Sequence, residues 1–390
     1  MNLDPILIIG GGFVGLPAAR RLAKAGHKVT LVNPTDYFLF TPRLIDALAG
    51  IGNPETWTEA LSACAARDGF TYVQGTVTRL DRTSRHATYQ DSLGASHTIP
   101  YGSALICPGT RTNYYNVPGA EANTQRLKSM DDVRAIHAKL QEMLQGAIND
   151  GKPAAKERLL SVIVVGAGAA GVEVAMALKE KLNALCAAED ASLCKLIRVT
   201  VLQGAPHVLP GFPLALVYGT EETLRRSGVR LSTHDPVLEV RPDGVMTTKL
   251  GFVPASLIVW CAGITPNIVP IVPDVFRDPQ GNIPVDRSLR VDEHLFAAGD
   301  AVLYKEDDVI IPKNAQTAMS MANHVADTVI RTAKGKRPRA FRYVSHGSLI
   351  WLGRTGYLNV KGLVLRSRFV PFIRDIFYLL RFWQCVGKIR

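Results

Sequence analysis

Short unbroken apolar runs alternate along this chain with helix-period patterns, and the switches between them fall at glycines. Residues 6–9 (Ile-Leu-Ile-Ile) form a run of the kind buried on both faces in a parallel sheet. Gly10-Gly11-Gly12-Phe13-Val14-Gly15 follows, then apolar positions at Leu16, Ala19, Leu22 and Ala23 up to Gly26, then a second run over 29–32. That order predicts a βαβ unit of about thirty residues. Pro17 falls in the first helical turn, where a missing N–H costs little. The unit recurs: 160–165 reads as a strand, Gly166-Ala167-Gly168-Ala169-Ala170-Gly171 as the turn, 172–182 as a helix and 199–202 as the next strand.

Between the two units, residues 72–80 and 88–100 alternate like hairpin strands, with 91–94 as a turn. A strand over 104–107 ends at Pro108-Gly109. Residues 131–148 carry an amphipathic helical pattern, and 151–157 read as a hinge into the second unit. A strand over 257–261, a run over 295–299 and a helix over 315–330 come next, then a basic linker over 334–339. The last fifty residues read as a separate tail. The expected domains are 1–115 and 276–335 as two parts of one unit, 116–275 as the other, and 336–390 at the C-terminus.

The glycine spacing carries chemistry. In a G-x-G-x-x-G turn after a strand, the first glycine allows the tight turn and the second lets a pyrophosphate approach. The third lets helix and strand lie close. Bare N–H groups at the helix start, with the positive end of its dipole, favour the phosphates. Gly10, Gly12 and Gly15 fill these places in the first turn, and Gly166, Gly168 and Gly171 in the second. Two dinucleotides in one chain are therefore expected. The acid that normally follows to bind ribose hydroxyls is absent twice, replaced by Asn33 and Gln203. An amide still bonds a hydroxyl, and at Gln203 no charge repels a 2′-phosphate, so NADPH stays open beside NADH.

Composition narrows the partners. An apolar fraction of 47% with a net charge of +11 describes a globular chain that favours anionic ligands or surfaces. The six cysteines form no C-x-x-C pair and suit a reducing compartment; no metal site is expected, and all six read as small buried hydrophobes. The first glycine turn begins too early to leave room for a cleavable leader. Residues 252–273 lack charge but contain four prolines, so a buried strand and loop are expected there and no span. Nucleic acid is not expected, because no recognition motif accompanies the basic residues.

Further motifs carry a resemblance. Leu295-Phe296-Ala297-Ala298-Gly299-Asp300 resembles the second FAD motif of the two-dinucleotide-binding flavoprotein reductases, although Arg290 stands where that motif opens with threonine. Ile106-Cys107-Pro108-Gly109-Thr110 and Val259-Trp260-Cys261-Ala262-Gly263-Ile264-Thr265-Pro266-Asn267 resemble the two crossovers between their domains. Tyr37-Phe38-Leu39-Phe40-Thr41-Pro42, residues 207–213 and residues 343–356 resemble segments of type II NADH dehydrogenases, within the pyridine nucleotide-disulfide oxidoreductase superfamily. Their A-Q-x-A-x-Q quinone motif is represented by Ala315-Gln316-Thr317-Ala318-Met319-Ser320, with Ser320 replacing the second glutamine.

The resemblance implies an α/β protein with two Rossmann-like dinucleotide-binding domains, one for FAD and one for NAD(P)H, and a C-terminal tail. FAD contacts are implied at Phe13, Pro42, Gly109, Gly299, Asp300, Ala315 and Gln316, and a second crossover contact at Gly263. Glu173 falls at the glutamate of G-x-x-G-x-E near the nicotinamide, and Gln316 near flavin or acceptor. Both are candidate catalytic residues, with Gln316 and Ser320 as candidates for a quinone site. Flavin carries the chemistry, and the protein positions it. The tail interleaves Arg366, Arg368, Arg374, Arg381, Lys388 and Arg390 with Phe369, Phe372, Ile373, Ile376, Phe377, Tyr378, Leu379, Leu380, Phe382 and Trp383. Such a segment suits a peripheral site on the cytoplasmic membrane face, or a homodimer contact. The function implied is hydride transfer from NAD(P)H to FAD and then to a quinone, without proton pumping. A soluble reductase using oxygen or a small redox protein, and a flavin sensor resembling apoptosis-inducing factor, are the alternatives.

Overall fold

The computed structural model describes residues 4–306 and 309–388. Two parallel sheets organise it. In the first, the strands lie in the order Leu295–Ala297, Ser103–Ile106, Ile6–Ile9, Val29–Asn33 and Thr71–Gln74. In the second, the order is Val229–Thr233, Arg198–Gln203, Ser161–Val165 and Leu257–Trp260. Their central strands are buried on both faces, which is why they read as unbroken Ile/Leu/Val runs and not as alternation. Ile9 is level with Val32 on one side and Ile106 on the other, so the Gly10 turn emerges at the carboxyl edge of the sheet. Val165 stands likewise beside Leu202 and Trp260. Ligands of doubly wound sheets bind at that edge.

Three local expectations are corrected. Residues 72–80 are not one hairpin strand. Gly75 divides them, because Thr71–Gln74 completes the parallel sheet while Thr76–Asp81 turns away to pair antiparallel with His86–Gln90. A Cβ at Gly75 would lie 2.5 Å from the Tyr89 ring, so the junction needs glycine. The expected hinge at 151–157 is a helix, Pro153–Leu159, started by Pro153 in its first turn and built on Ala154, Ala155, Lys156 and Glu157. The helix expected over 172–182 runs from Ala169–Glu189.

The C-terminal residues do not stand apart. An antiparallel sheet of Ser348–Leu352, Thr355–Val360 and Leu363–Ser367 leads into a helix, Val370–Val386, with Pro371 in its first turn. Ile350, Trp351, Leu352 and Tyr357 join the core under the second sheet, whereas Phe382, Cys385 and Val386 join the core under the first. The segment thus bridges both halves. Arg374 is only 3% exposed and points inward, so it is removed from the set of lipid-facing cations; Arg390 lies outside the described residues. No helix among the described residues is long and apolar enough to cross a membrane.

Candidate functional site

Each glycine turn divides its labour as its spacing demands. A Cβ on Gly10 would sit 2.2 Å from the Cys107 carbonyl oxygen, and one on Gly15 would sit 1.7 Å from the Gly10 carbonyl oxygen. Gly166 and Gly171 are equally confined, by Ala262 at 2.4 Å and the Gly166 carbonyl at 1.9 Å. The middle glycines differ. Gly12 and Gly168 have nothing within 4 Å of an added Cβ, so each faces open space where a pyrophosphate would lie. Val172 N–H bonds back to the Gly168 carbonyl, which starts the Ala169–Glu189 helix at that turn.

The two amides that replace ribose acids are held differently. Asn33 accepts from Gly11 N–H at 2.8 Å and donates to the Thr35 carbonyl at 2.7 Å, so its orientation is fixed. Gln203 makes only long contacts, 3.4 Å to Ala167 N and 3.4 Å to the His207 carbonyl, and keeps most of its capacity for a ligand.

The halves are tied where the crossovers meet. Thr110–Thr112 pairs antiparallel with Ile264–Pro266, directly after Gly109 and Gly263. Asn267 donates its backbone N–H to the Gly109 carbonyl and its side-chain amide to the Pro108 carbonyl. Beside this hinge is Asp300, whose carboxylate has no hydrogen-bond partner among the described residues. Its pKa is raised by burial and pulled back by the Lys313 and Lys128 cations. Lys128 donates to Thr110 Oγ1 and Lys313 to the Asp300 carbonyl oxygen. A half-buried carboxylate left without donors fits a ligand rich in hydroxyls, as a ribityl chain is. Neither lysine was visible as a candidate in the sequence, since neither lies in a motif. Cys261 lies near Lys128 and, with Cys194, is only half-buried, which corrects the reading of all six cysteines as buried.

Helix Ala315–Ala333 aims its N-terminus at the same region. Asn314 caps it by accepting from Thr317 N–H, leaving the earlier N–H groups free. Gln316 Nε2 and Thr317 Oγ1 are buried without a hydrogen-bond partner among the described residues. Gln316 and Ser320 line one cavity of about 270 Å³ with Asn323, His346, Arg381 and Gln384. Pro17 and Met319 complete its wall. The structure thus brings the two acceptor-site candidates together, one helical turn apart. His346, Arg381 and Gln384 come from the C-terminal residues and could not be assigned to this cavity from local pattern.

Glu173 lies elsewhere in the site. Its Oε1 accepts from the Trp351 backbone N–H at 2.7 Å, across to the C-terminal sheet. Burial pushes its carboxyl up to about 7, against the pull of the Trp351 N–H and the Arg374 guanidinium. Its ordinary value is 4.5, so from pH 4.5 to 7 the folded chain keeps a proton that the unfolded chain has lost. Stability therefore falls as pH rises through that window and is level above it. Glu173→Gln preserves the acceptor oxygen and removes the ionisation. Its melting temperature should exceed that of the wild type at pH 8 by on the order of a few °C. The gain should shrink at pH 5; an equal gain at both would show that ionisation is not its cause.

Residues 4–322 match the family described as pyridine nucleotide-disulphide oxidoreductase. The type II NADH:quinone oxidoreductase of Haemophilus influenzae is 27% identical over 94% of this chain and 90% of its own length. A probable NADH dehydrogenase of Dictyostelium discoideum is 26% identical over 99% of this chain and 87% of its own. Among solved structures, NDH2 of Plasmodium falciparum in complex with NADH superimposes with a TM-score of 0.90. It covers 98% of this chain and 96% of that one, at 19% identity, and shares the fold.

Proposed function

This chain belongs to the pyridine nucleotide-disulphide oxidoreductase family, and on that premise we propose that it is an FAD-dependent NADH:quinone oxidoreductase that pumps no protons. One observation carries the reading: two cradles with open middle glycines, Gly12 and Gly168, are joined across the paired crossovers of one hinge. The type II NADH:quinone oxidoreductase it resembles supports quinone as the acceptor. The balanced reaction is NADH + H⁺ + quinone giving NAD⁺ + quinol. What bound FAD supplies is the two-electron relay between nicotinamide and acceptor.

The protein positions and screens. Gly10, Gly12, Phe13, Gly15, Asn33, Pro42, Gly109, Gly299, Asp300, Ala315 and Gln316 hold FAD, the N–H groups at Ala315–Gln316 offsetting negative charge that builds on reduction. Gly166, Gly168, Gly171, Gln203 and Gly263 hold NADH, and the uncharged Gln203 admits NADPH as a second donor. Gln316 and Ser320 face the quinone. Glu173, poised near neutral pH, takes up and returns a proton at its carboxyl. Anaerobic NADH should bleach the yellow protein, and a soluble ubiquinone or menaquinone analogue should restore the colour faster than air. Faster reoxidation by air would favour the oxygen-using reductase instead.

The work is done peripherally, on the cytoplasmic face of a membrane. Phe369, Phe372, Ile373, Ile376, Leu379 and Leu380 form an exposed stripe along the C-terminal helix, opposite Val370, Arg374, Phe382 and Cys385, which are buried. Phe369 is 73% and Phe372 64% exposed, too much apolar surface in one stripe to be left in water. Arg366 and Arg368 flank its start. The full chain should sediment with anionic vesicles and less with neutral ones, and Phe372→Ser with Ile376→Ser should release it. A chain that ignores vesicles but dissociates from dimer to monomer with those substitutions would make the stripe a homodimer contact.

A further inference from the structure

The cavity beside Gln316 has an uneven charge. Of its lining residues none is a carboxylate. Arg381 on its wall has no ion-pair partner among the described residues: Nη1 donates to the neutral Gln384 Oε1 at 3.0 Å, and the guanidinium lies 4.9 Å over the Phe377 ring. Its neighbours are different. Arg21 pairs with Asp327, Arg20 with Asp68, Arg43 with Asp46, and Arg374 with Asp46. Arg381 is thus a half-buried cation whose charge nothing in the fold has claimed.

The other polar groups add to the same sign. Gln316 Nε2 is a buried donor without an acceptor among the described residues. The Asn323 oxygen accepts from Arg21 Nη1 at 3.2 Å, which turns part of its acceptor capacity away and leaves its N–H₂ donors for the cavity. The Ala315–Ala333 helix begins at the cavity, with its positive end one residue before Gln316. His346 contributes imidazole nitrogen. A neutral ring would gain only dipolar contacts here. A ring carrying negative charge would gain a charge-assisted hydrogen bond and the favourable end of the helix.

We infer that the cavity formed by Gln316, Ser320, Asn323, His346, Arg381 and Gln384 selects quinones that carry a negative charge on the ring, through the unpaired guanidinium of Arg381. The inference rests on the NADH:quinone reading above and names the acceptor class of that site. Ser320, shorter than the glutamine that the resembling motif carries, leaves room for the ring substituent bearing the charge.

The test uses the FAD-loaded full chain with 1,4-naphthoquinone and its 2-hydroxy derivative, which is ionised at neutral pH. The ratio of their kcat/KM values in the wild type is compared with that in Arg381→Gln, so that the intrinsic reactivity of each quinone cancels. The hydroxy derivative should lose on the order of tenfold relative to its neutral parent in Arg381→Gln. Arg381→Lys should keep much of the preference. Quenching of flavin fluorescence in the oxidised protein should show the same weakening in Kd, independently of turnover. Ser320→Trp, which fills the cavity, should block reoxidation by both quinones while NADH still bleaches the flavin.

An unchanged ratio in Arg381→Gln overturns the inference and leaves the quinone reading standing. So does undiminished quinone reduction by Ser320→Trp, which would place the acceptor elsewhere. If neither quinone reoxidises the wild-type flavin, the quinone reading itself fails and takes this inference with it.

Discussion

Gly168→Asp should give a yellow, folded protein that NADH no longer reduces at ordinary concentrations, and Gly12→Asp a folded protein without colour. Both positions point an added Cβ into open space, so neither substitution should disturb the fold. At Gly168 the backbone is extended (φ −67°, ψ −178°) and the residue caps the following helix, a position where aspartate is favoured. The helix would gain a side-chain cap that Gly168 does not supply. A carboxylate would occupy the place of a diphosphate and repel it, turning an attraction worth about 1–2 kcal/mol into a penalty. Affinity for NADH should fall by on the order of 100-fold, about 3 kcal/mol. Titrating flavin bleaching against NADH measures this directly, and flavin content per chain measures the effect at Gly12. Wild-type NADH affinity in Gly168→Asp would show that the second cradle holds something else. Gly15→Ala and Gly171→Ala make poor tests by comparison, because their Cβ atoms would meet backbone and the fold itself would yield.

That pair of substitutions could be designed from the amino-acid sequence, because the glycine turns are local. Strand, turn and helix start lie within about ten residues, and each glycine answers to a backbone need that spacing alone encodes. The same holds for Ile6–Ile9 and Leu257–Trp260, whose unbroken apolar character follows from burial on both faces. Elsewhere two local signals compete or the partner is remote. Residues 73–78 alternate across Gly75 without a break, and only that glycine marks the change of sheet. The helix at Pro153–Leu159 was hidden by a proline and a preceding glycine that also suit a hinge. Glu173 bonds the backbone of Trp351, 178 positions away, and Asp46 meets Arg374, 328 positions away. No periodicity reports such pairings, since they are made by tertiary packing alone. Arg381 was legible as charge but not as a cavity wall, because its cavity joins helices from opposite ends of the chain.

Asp46→Ala should be the most destabilising single change at the seam between the C-terminal helix and the rest of the chain. Asp46 is 3% exposed and holds two arginines at once: Arg43 Nη1 at 2.9 Å, and Arg374 Nη2. Arg43 is sandwiched, its guanidinium 4.1 Å over Trp57 and 5.2 Å over Tyr378, and Arg374 lies 5.4 Å over Trp351. The aromatic faces favour the cations but cannot replace an anion. The Nε atoms of both arginines already lack hydrogen bonds among the described residues, so the seam has no slack. Removing one partner of a buried pair typically costs about 3–5 kcal/mol, because a charge is left in a poorly solvated place. Asp375, which also pairs with Arg43 but lies half in water, should cost under about 1 kcal/mol when changed to alanine. Urea unfolding of the two variants tests the contrast, and equal losses would mean that the seam is not dry. Asp46→Leu combined with Arg374→Met should recover part of the loss, since the Leu–Met pair needs no counter-charge while Arg43 keeps only the half-exposed Asp375. Asp46 also raises the pKa of Glu173, whereas Arg374 lowers it. In Asp46→Asn burial still holds the carboxyl up but the contribution of Asp46 is gone, so the pH at which Glu173 gives up its proton should fall. The helix that carries the exposed apolar stripe thus acts electrostatically on a carboxyl near the start of the Ala169–Glu189 helix. A pH profile of flavin reduction in Asp46→Asn that keeps the wild-type midpoint would sever that connection.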